Sequence, residues 1–278
     1  MKVIAEFDPW KNPLCTCPKK YSFNPYTGCA HKCDYCYATY IPNFWEVREK
    51  KNLSKRLEGD LEKLPRNALI SMSNSSDPYP PIEKTRKITR RCLEIIKNYD
   101  VRLLIITKSN IVIRDVDLLR DLRCAVAITV TGFSSRIFEP LAPKPEERIE
   151  ALKFLKDCGI PIILRLDPLM PWMKKEEWFA ILEKCYFVDH VATSTLKLRK
   201  DSFERIAKIN PDLREFLKQL YFERGEKICS SWYLSKELRE KLLSVVENKC
   251  KELGISCAFC REGIPFKAKS CDGSHLIK

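Results

Sequence analysis

Cys29, Cys33 and Cys36, in the segment NPYTGCAHKCDYCYATY, are spaced C-x3-C-x2-C. Three thiolates gathered over so short a stretch can ligate three irons of a 4Fe-4S cubane and leave the fourth iron without a protein ligand. An open iron can chelate the amino and carboxylate groups of S-adenosylmethionine. An electron from the cluster can then cleave the sulfonium to give a 5'-deoxyadenosyl radical. In such a site the cofactor carries the hard step, while the protein orients and shields it. The competing occupant is zinc, with His31 or a distant cysteine as fourth ligand. The spacing speaks against zinc, which favours two separated C-x2-C knuckles.

A second cysteine group lies in the tail, where Cys257, Cys260 and Cys271 give C-x2-C followed at a distance by a third thiol. Cys15, Cys17, Cys229 and His275 are available as further ligands. The group is a candidate site for an auxiliary iron-sulfur cluster or a structural zinc; otherwise its thiols are small buried hydrophobes. With 14 cysteines in 278 residues and no secretory signal at the N-terminus, metal chemistry is the better reading than a disulfide framework.

Positioning such groups requires a scaffold. Short β-branched runs recur at Tyr21–Asn24, Ala68–Met72, Arg102–Thr107, Cys124–Val130, Ile160–Leu166 and Val188–Thr193, separated by amphipathic stretches. In the spacer that opens at Pro145, proline suits a first helical turn, Ile149, Leu152 and Leu155 share a face, and Gly159 can end the helix. Alternating strand and helix implies a parallel sheet. Six such units are too few for a closed eight-unit barrel, leaving a partial barrel or an open doubly wound sheet. In either, ligands bind beyond the strands' C-terminal ends, where Cys29 to Cys36, Ser76, Asp77, Lys108, Thr129, Arg165, Asp167 and Ser194 fall. The expected organisation is an N-terminal segment at 1–19, the βα core at 20–205 and a helical, cysteine-bearing extension at 206–278. In that extension Ser235 is the expected N-cap of a helix burying Leu238, Leu242 and Val245.

The motif and its surroundings resemble the radical SAM superfamily and, within it, the spore photoproduct lyase-like group. The likeness continues through SSDP at 75–78, TK at 107–108, FEP at 138–140 and EERIEALKFL at 146–155, in that order, and covers about residues 20–200. It implies an α/β fold, a partial (β/α)6 TIM-like barrel with a small C-terminal extension. It implies a 4Fe-4S cluster on Cys29, Cys33 and Cys36, S-adenosylmethionine as cofactor, and a reductant such as ferredoxin or flavodoxin. By the same resemblance Tyr37 packs near the adenosyl moiety, Ser76 contacts the methionyl end, Lys108 meets its carboxylate, and Thr129 replaces a serine near the ribose. Asp77, Arg165 and Asp167 face the same mouth and are candidates for catalytic contact with substrate. One departure matters. Spore photoproduct lyases place a hydrogen-donating cysteine just upstream of the SDP element, and the corresponding residue here is Asn74. An amide does not replace a thiol in that role, so a related reaction on another nucleic-acid or nucleotide-like substrate is expected.

The formal net charge of +13 suits a polyanionic partner such as DNA or tRNA. Lys108, Arg114, Lys144, Arg165, Lys174, Lys175, Lys197, Arg199 and Lys200 gather near the predicted mouth, and Phe133, Trp172 and Phe203 share those loops and are candidates to stack on bases. The competing class is a non-catalytic, zinc-containing nucleic-acid-binding protein. Phosphate-cradling and serine-hydrolase motifs are absent from the sequence, and three histidines make imidazole catalysis a poor expectation. His190, in a predicted strand, reads as a satisfied core residue. The apolar runs are too short to span a bilayer, so no membrane partner and a cytoplasmic location are expected.

Overall fold

A computed structural model describes residues 2–7 and 12–278; Met1 and residues 8–11, part of the expected N-terminal segment, lie outside the described residues. Strands β1 (Ile4–Glu6), β2 (Tyr21–Phe23), β3 (Ala68–Met72), β4 (Val101–Thr107), β5 (Cys124–Thr129), β6 (Ile162–Leu169), β7 (His190–Thr195) and β8 (Ser256–Phe259) form one sheet. Their spatial order is their chain order. Apart from β1, which runs antiparallel to β2, every neighbouring pair is parallel. A doubly wound sheet reverses direction at a switch point, whereas strictly sequential parallel winding is that of a barrel. Among the described residues the edges β1 and β8 do not pair with each other, so the barrel stays open.

The helices that cover it are α1 (Leu53–Leu61), α2 (Ile88–Ile96), α3 (Val116–Asp121), α4 (Pro145–Asp157), α5 (Lys175–Lys184), α6 (Lys200–Ile209) and α7 (Lys236–Glu252). Helix α4 forms as its residues dictate. Pro145 stands in its first turn, the Glu147 carboxylate accepts the Lys144 N–H at 2.7 Å, and Leu152 and Leu155 are buried. Gly159, at φ +80°, takes the left-handed backbone that ends it.

The two-residue period of each strand separates two apolar layers. Ile70, Leu103, Val126 and Leu164 pack outward against Leu93, Leu152 and Ile181 of the helices. The alternate residues Leu69, Leu104, Ala125, Ala127, Ile163 and Ala192 form a second cluster with Ile277 from the C-terminal tail. The tail therefore seals the inner face of the sheet. Gly273, at φ +78°, makes the approach possible, since a Cβ there would fall 2.6 Å from the Ile163 side chain.

The expected six strands are present, Ala68–Met72 with the expected bounds and the others with shifted ends, and two more flank them. β1, from the N-terminal segment, joins one edge and β8, beyond residue 205, joins the other, with α7 packed against β7 and β8. The βα alternation thus resumes within the region 206–278, which was expected to be helical. Ser235 does cap α7, accepting the Leu238 N–H at 3.4 Å, but the buried face is Leu243, Val246 and Cys250, rotated from the expected Leu238, Leu242 and Val245.

Candidate active site

The three cysteines lie on the loop that follows β2 at the C-terminal end of the sheet. Gly28 makes the turn into it at φ +83°, where any Cβ would sit 2.2 Å from the Glu46 carbonyl oxygen. The Cys29 N–H donates to the Phe44 carbonyl at 2.7 Å. Arg205 of α6 crosses over to donate to the carbonyls of Asp34 and Cys36 at 2.9 and 2.8 Å. Two distant segments thus hold the loop. All three thiols line one cavity of about 500 Å³, together with Tyr37, Ser76, Asp77, Lys108, Thr129, Arg165 and Asp167. The candidates named from the sequence for cluster, cofactor and substrate therefore share a single space.

Burial pushes the Cys29 thiol up to about 12 and Cys33 well above its ordinary range, so these thiols stay protonated unless a cation compensates their charge. Cationic iron would do so. Cys29, Cys33 and Cys36 do not gather within the 4.8 Å mutual spacing that one ion requires, and His31 turns its Nε2 toward Asp77 at 3.1 Å. That arrangement fits the wider span of a cubane and offers little to a tetrahedral zinc.

Asp77 is fully engaged. Its carboxylate faces His31 and accepts the Thr107 hydroxyl at 2.7 Å, the Lys108 N–H at 2.7 Å and the Tyr79 N–H at 2.9 Å. Burial pushes its pKa up, but His31 and these donors outweigh burial and hold it below the ordinary carboxylate range. Asp77 thus ties the cysteine loop to β3 and β4. Glu139, of the FEP element, is the second hub. It is fully buried, pairs with Arg148 at 2.6 Å and Lys108 at 3.0 Å, and accepts from Thr131 at 2.8 Å and from the Tyr35 hydroxyl. Lys108 is therefore steered by a carboxylate and is not a loose surface cation.

Ser76 lines the cavity and donates its hydroxyl to the Tyr26 carbonyl at 3.1 Å, so its oxygen keeps acceptor capacity. Tyr37 donates to the Asn74 carbonyl at 2.9 Å, and its ring lies under the Arg261 guanidinium, 5.4 Å from the centroid. The Thr129 hydroxyl makes no hydrogen bond among the described residues. Asn74 binds Ser71 and Ser22 through its side chain, each at 2.9 Å, so the amide is a fixed bracing group.

The opposite wall carries a second polar constellation. Arg165 and Asp167, two residues apart on β6, point the same way and form an ion pair; Ser194 donates to Asp167 at 2.5 Å. Lys197 pairs with buried Glu262 at 2.8 Å. Sequence reading passed over Glu139, Glu262 and Arg261; only the FEP element drew attention to the first. Other expected mouth residues are differently placed. Arg114 is bound to Glu83 and Asp115, Trp172 packs edge-on against Phe138, and Phe203 packs against Phe222. These aromatic side chains pack in or against the hydrophobic core.

The tail cysteines divide. Cys257 lies against Cys250 of α7, whereas Cys271 sits 3.4 Å from Cys17, and Cys15, Cys17 and Cys260 line the cavity. The trio Cys257, Cys260 and Cys271 is thus not brought together. His190 is buried, with Nδ1 2.8 Å from the Ser256 hydroxyl, while its Nε2 has no partner among the described residues.

Comparison with known proteins agrees with this geometry. The model of the radical SAM superfamily matches residues 23–185. An uncharacterised protein of Methanocaldococcus jannaschii, MJ0683, is 32% identical over 251 residues, covering 86% of this chain and 90% of the relative. ORF301 of Acidianus two-tailed virus is 28% identical over 253 residues, 78% of this chain and 83% of the relative. The fold is shared with a spore photoproduct lyase mutant bearing dinucleoside spore photoproduct, at TM-score 0.70 and 16% identity over 86% of this chain and 75% of that one. A further mutant of that lyase, with bound AdoMet and the same dinucleoside, superposes at TM-score 0.70 and 16% identity over 93% of this chain and 80% of the other. With more than half its length inside the family match, and with the motif's three thiols converging at the mouth of an open parallel barrel, the chain belongs to the radical SAM superfamily of enzymes.

Proposed function

We propose that this enzyme reductively cleaves S-adenosylmethionine at a 4Fe-4S cluster held by Cys29, Cys33 and Cys36 and turns the resulting radical on a nucleic-acid or nucleotide-like substrate. When bound, the cluster supplies one electron to the sulfonium, yielding methionine and the 5'-deoxyadenosyl radical. The observation that carries the reading is the single cavity of about 500 Å³ that takes in the three thiols and every candidate cofactor-binding side chain.

In this reading the chain's own residues bind and orient. The Ser76 oxygen accepts from the cofactor's amino group, and Lys108, aimed by Glu139, meets its carboxylate. The Thr129 hydroxyl serves the ribose, and the Tyr37 ring flanks the adenosyl group. Asp77 acts as a positioning residue through His31 and the Lys108 backbone. The Arg165–Asp167 pair and Ser194 offer donors and acceptors to substrate from the opposite wall. Asn74 cannot donate a hydrogen atom as a thiol does, which supports chemistry other than spore photoproduct repair.

A polyanionic substrate is supported by an adjoining groove. It shares Tyr40 with the main cavity and adds Arg199, Lys200, Lys227 and Trp232, with Arg199 over the Tyr40 ring and Lys227 over Trp232. Cations interleaved with aromatic rings suit a single-stranded phosphate backbone with unstacked bases. A low-potential carrier such as ferredoxin or flavodoxin would supply the electron. Assays with deuterated DNA or tRNA test the proposal: deuterium appearing in 5'-deoxyadenosine is the expected result. Undetectable nucleic-acid binding at low salt, with deuterium absent, would overturn the substrate assignment.

A further inference from the structure

We propose that Cys17 and Cys271 are a redox-active dithiol that closes reversibly to a disulfide and so latches the N-terminal segment to the C-terminal tail at the cavity wall, independently of the radical chemistry. The two sulfurs lie 3.4 Å apart although the residues stand 254 positions apart in the chain. A disulfide bond is about 2.0 Å long, so roughly 1.4 Å of further approach closes it.

Both segments are already pinned around the contact. Buried Asn12 donates to the Tyr233 hydroxyl at 3.0 Å, and it accepts the Leu14 N–H at 2.9 Å on its side chain and the Cys15 N–H at 3.0 Å on its carbonyl, fixing the turn that leads to Cys17. On the far side of Cys17, buried Lys20 pairs at 2.5 Å with Asp272, the chain neighbour of Cys271, and Asp272 in turn accepts the Ser274 N–H at 3.0 Å. The two thiols therefore meet between fixed points and not as loose side chains.

Access sets the order of events. Cys17 is half-buried and lines the cavity, whereas Cys271 is only 1% exposed. Hydrogen bonds from Cys15 and Cys271, with the Lys20 ammonium close by, hold the Cys17 thiol below its ordinary range against the burial that opposes them, which favours a nucleophilic thiolate there. Cys250 and Cys257, the other close cysteine pair, are both buried between α7 and β8 and do not line the cavity. The Cys17 thiolate attacks a low-molecular-weight disulfide such as oxidised glutathione, forming a mixed disulfide and expelling one thiolate. Cys271 then gives up its proton, attacks the Cys17 sulfur and expels the second thiol. The chain loses two electrons and two protons, and the reagent is reduced to two thiols. Closed, the latch holds the tail whose Ile277 seals the inner face of the sheet, and it fixes the wall that carries Cys15, Cys17, Lys20 and Asp272.

The test uses the full-length chain, both reconstituted with iron and sulfide and as a Cys29→Ala/Cys33→Ala/Cys36→Ala variant, so that effects on the cluster loop and on the latch are told apart. Each protein is equilibrated anaerobically in glutathione buffers of rising oxidised fraction, alkylated and mapped by peptide mass spectrometry. The expected result is one Cys17–Cys271 disulfide per chain in both proteins, reversed by dithiothreitol, with a melting temperature about 3–7 °C higher in the closed form. Cys271→Ser should abolish both the disulfide and the rise, while Cys15→Ser and Cys250→Ala/Cys257→Ala should keep them. Cys17 and Cys271 still open to alkylation in fully oxidised glutathione would overturn the proposal, as would a Cys15–Cys17 disulfide in its place or a metal ion held by the pair.

Discussion

Glu139→Gln is the perturbation whose cost the structure sets most directly. The carboxylate is fully buried and faces the Arg148 guanidinium, itself fully buried, and the Lys108 ammonium. Glutamine keeps the volume and some hydrogen bonds but leaves two cations without a counter-charge, a loss of about 3–5 kcal/mol when one partner of a buried pair is removed. Unfolding entropy of about 2.1 cal/mol/K per residue makes roughly 0.6 kcal/mol/K for a chain of this length, so the melting temperature should fall by about 5–9 °C. Burial alone would raise the carboxyl's pKa, but Lys108 and Arg148 hold it well below the ordinary carboxylate range. Its stabilisation is therefore present above the usual carboxylate pKa and lost as pH falls through the folded value. The gap between wild type and variant is widest at neutral pH and narrows in acid. Differential scanning calorimetry at pH 7 measures it, with Glu204→Gln, in an exposed pair with Arg214, as a control that barely moves. A fall of less than about 2 °C for Glu139→Gln would refute the picture of a charge-locked hub steering Lys108.

Gly28→Ala forces a side chain against the Glu46 carbonyl at a positive φ and should at least halve the iron taken up on anaerobic reconstitution; uptake at the wild-type level would show that the loop tolerates the clash. His190, lowered to about 4 from 6.5 by burial and by His275, stays neutral in the fold while the unfolded chain protonates first. Stability should therefore decline as pH drops from about 6.5 toward 4, with about 2 kcal/mol lost between pH 7 and 5, and urea titrations on wild type and His190→Asn should show that slope shrink in the variant. Replacing Arg199, Lys200 and Lys227 by alanine should flatten the salt dependence of single-stranded nucleic-acid binding by about two units of the log–log slope, and an unchanged slope would remove the groove from the substrate path.

The βα core was legible because its strands are buried on both faces and read as continuous apolar runs such as Leu103 to Ile106. The flanking strands were not. Ile4–Glu6 has only three residues, and in Ser256–Phe259 the cysteine that packs into the core looked like a ligand. The same ambiguity misassigned Cys257, since side-chain type does not reveal which thiol faces Cys250 and which faces Cys17. The cluster loop could be read because its chemistry is local, three ligands in eight residues. Glu139 and Glu262 are long-range partners of Lys108 and Lys197, and pairings of that kind carry no spacing rule. Asp77 was recognised as important, but its role as an anchor for His31 emerged only from the four groups that converge on its carboxylate.

The most direct test of the central claim is formation of 5'-deoxyadenosine from S-adenosylmethionine by protein reconstituted anaerobically with iron and sulfide and reduced with dithionite, run beside Cys33→Ala. The account predicts product from the wild type and its loss in the variant, whereas a colourless wild-type protein containing zinc and forming no product, or equal product from both, would contradict it.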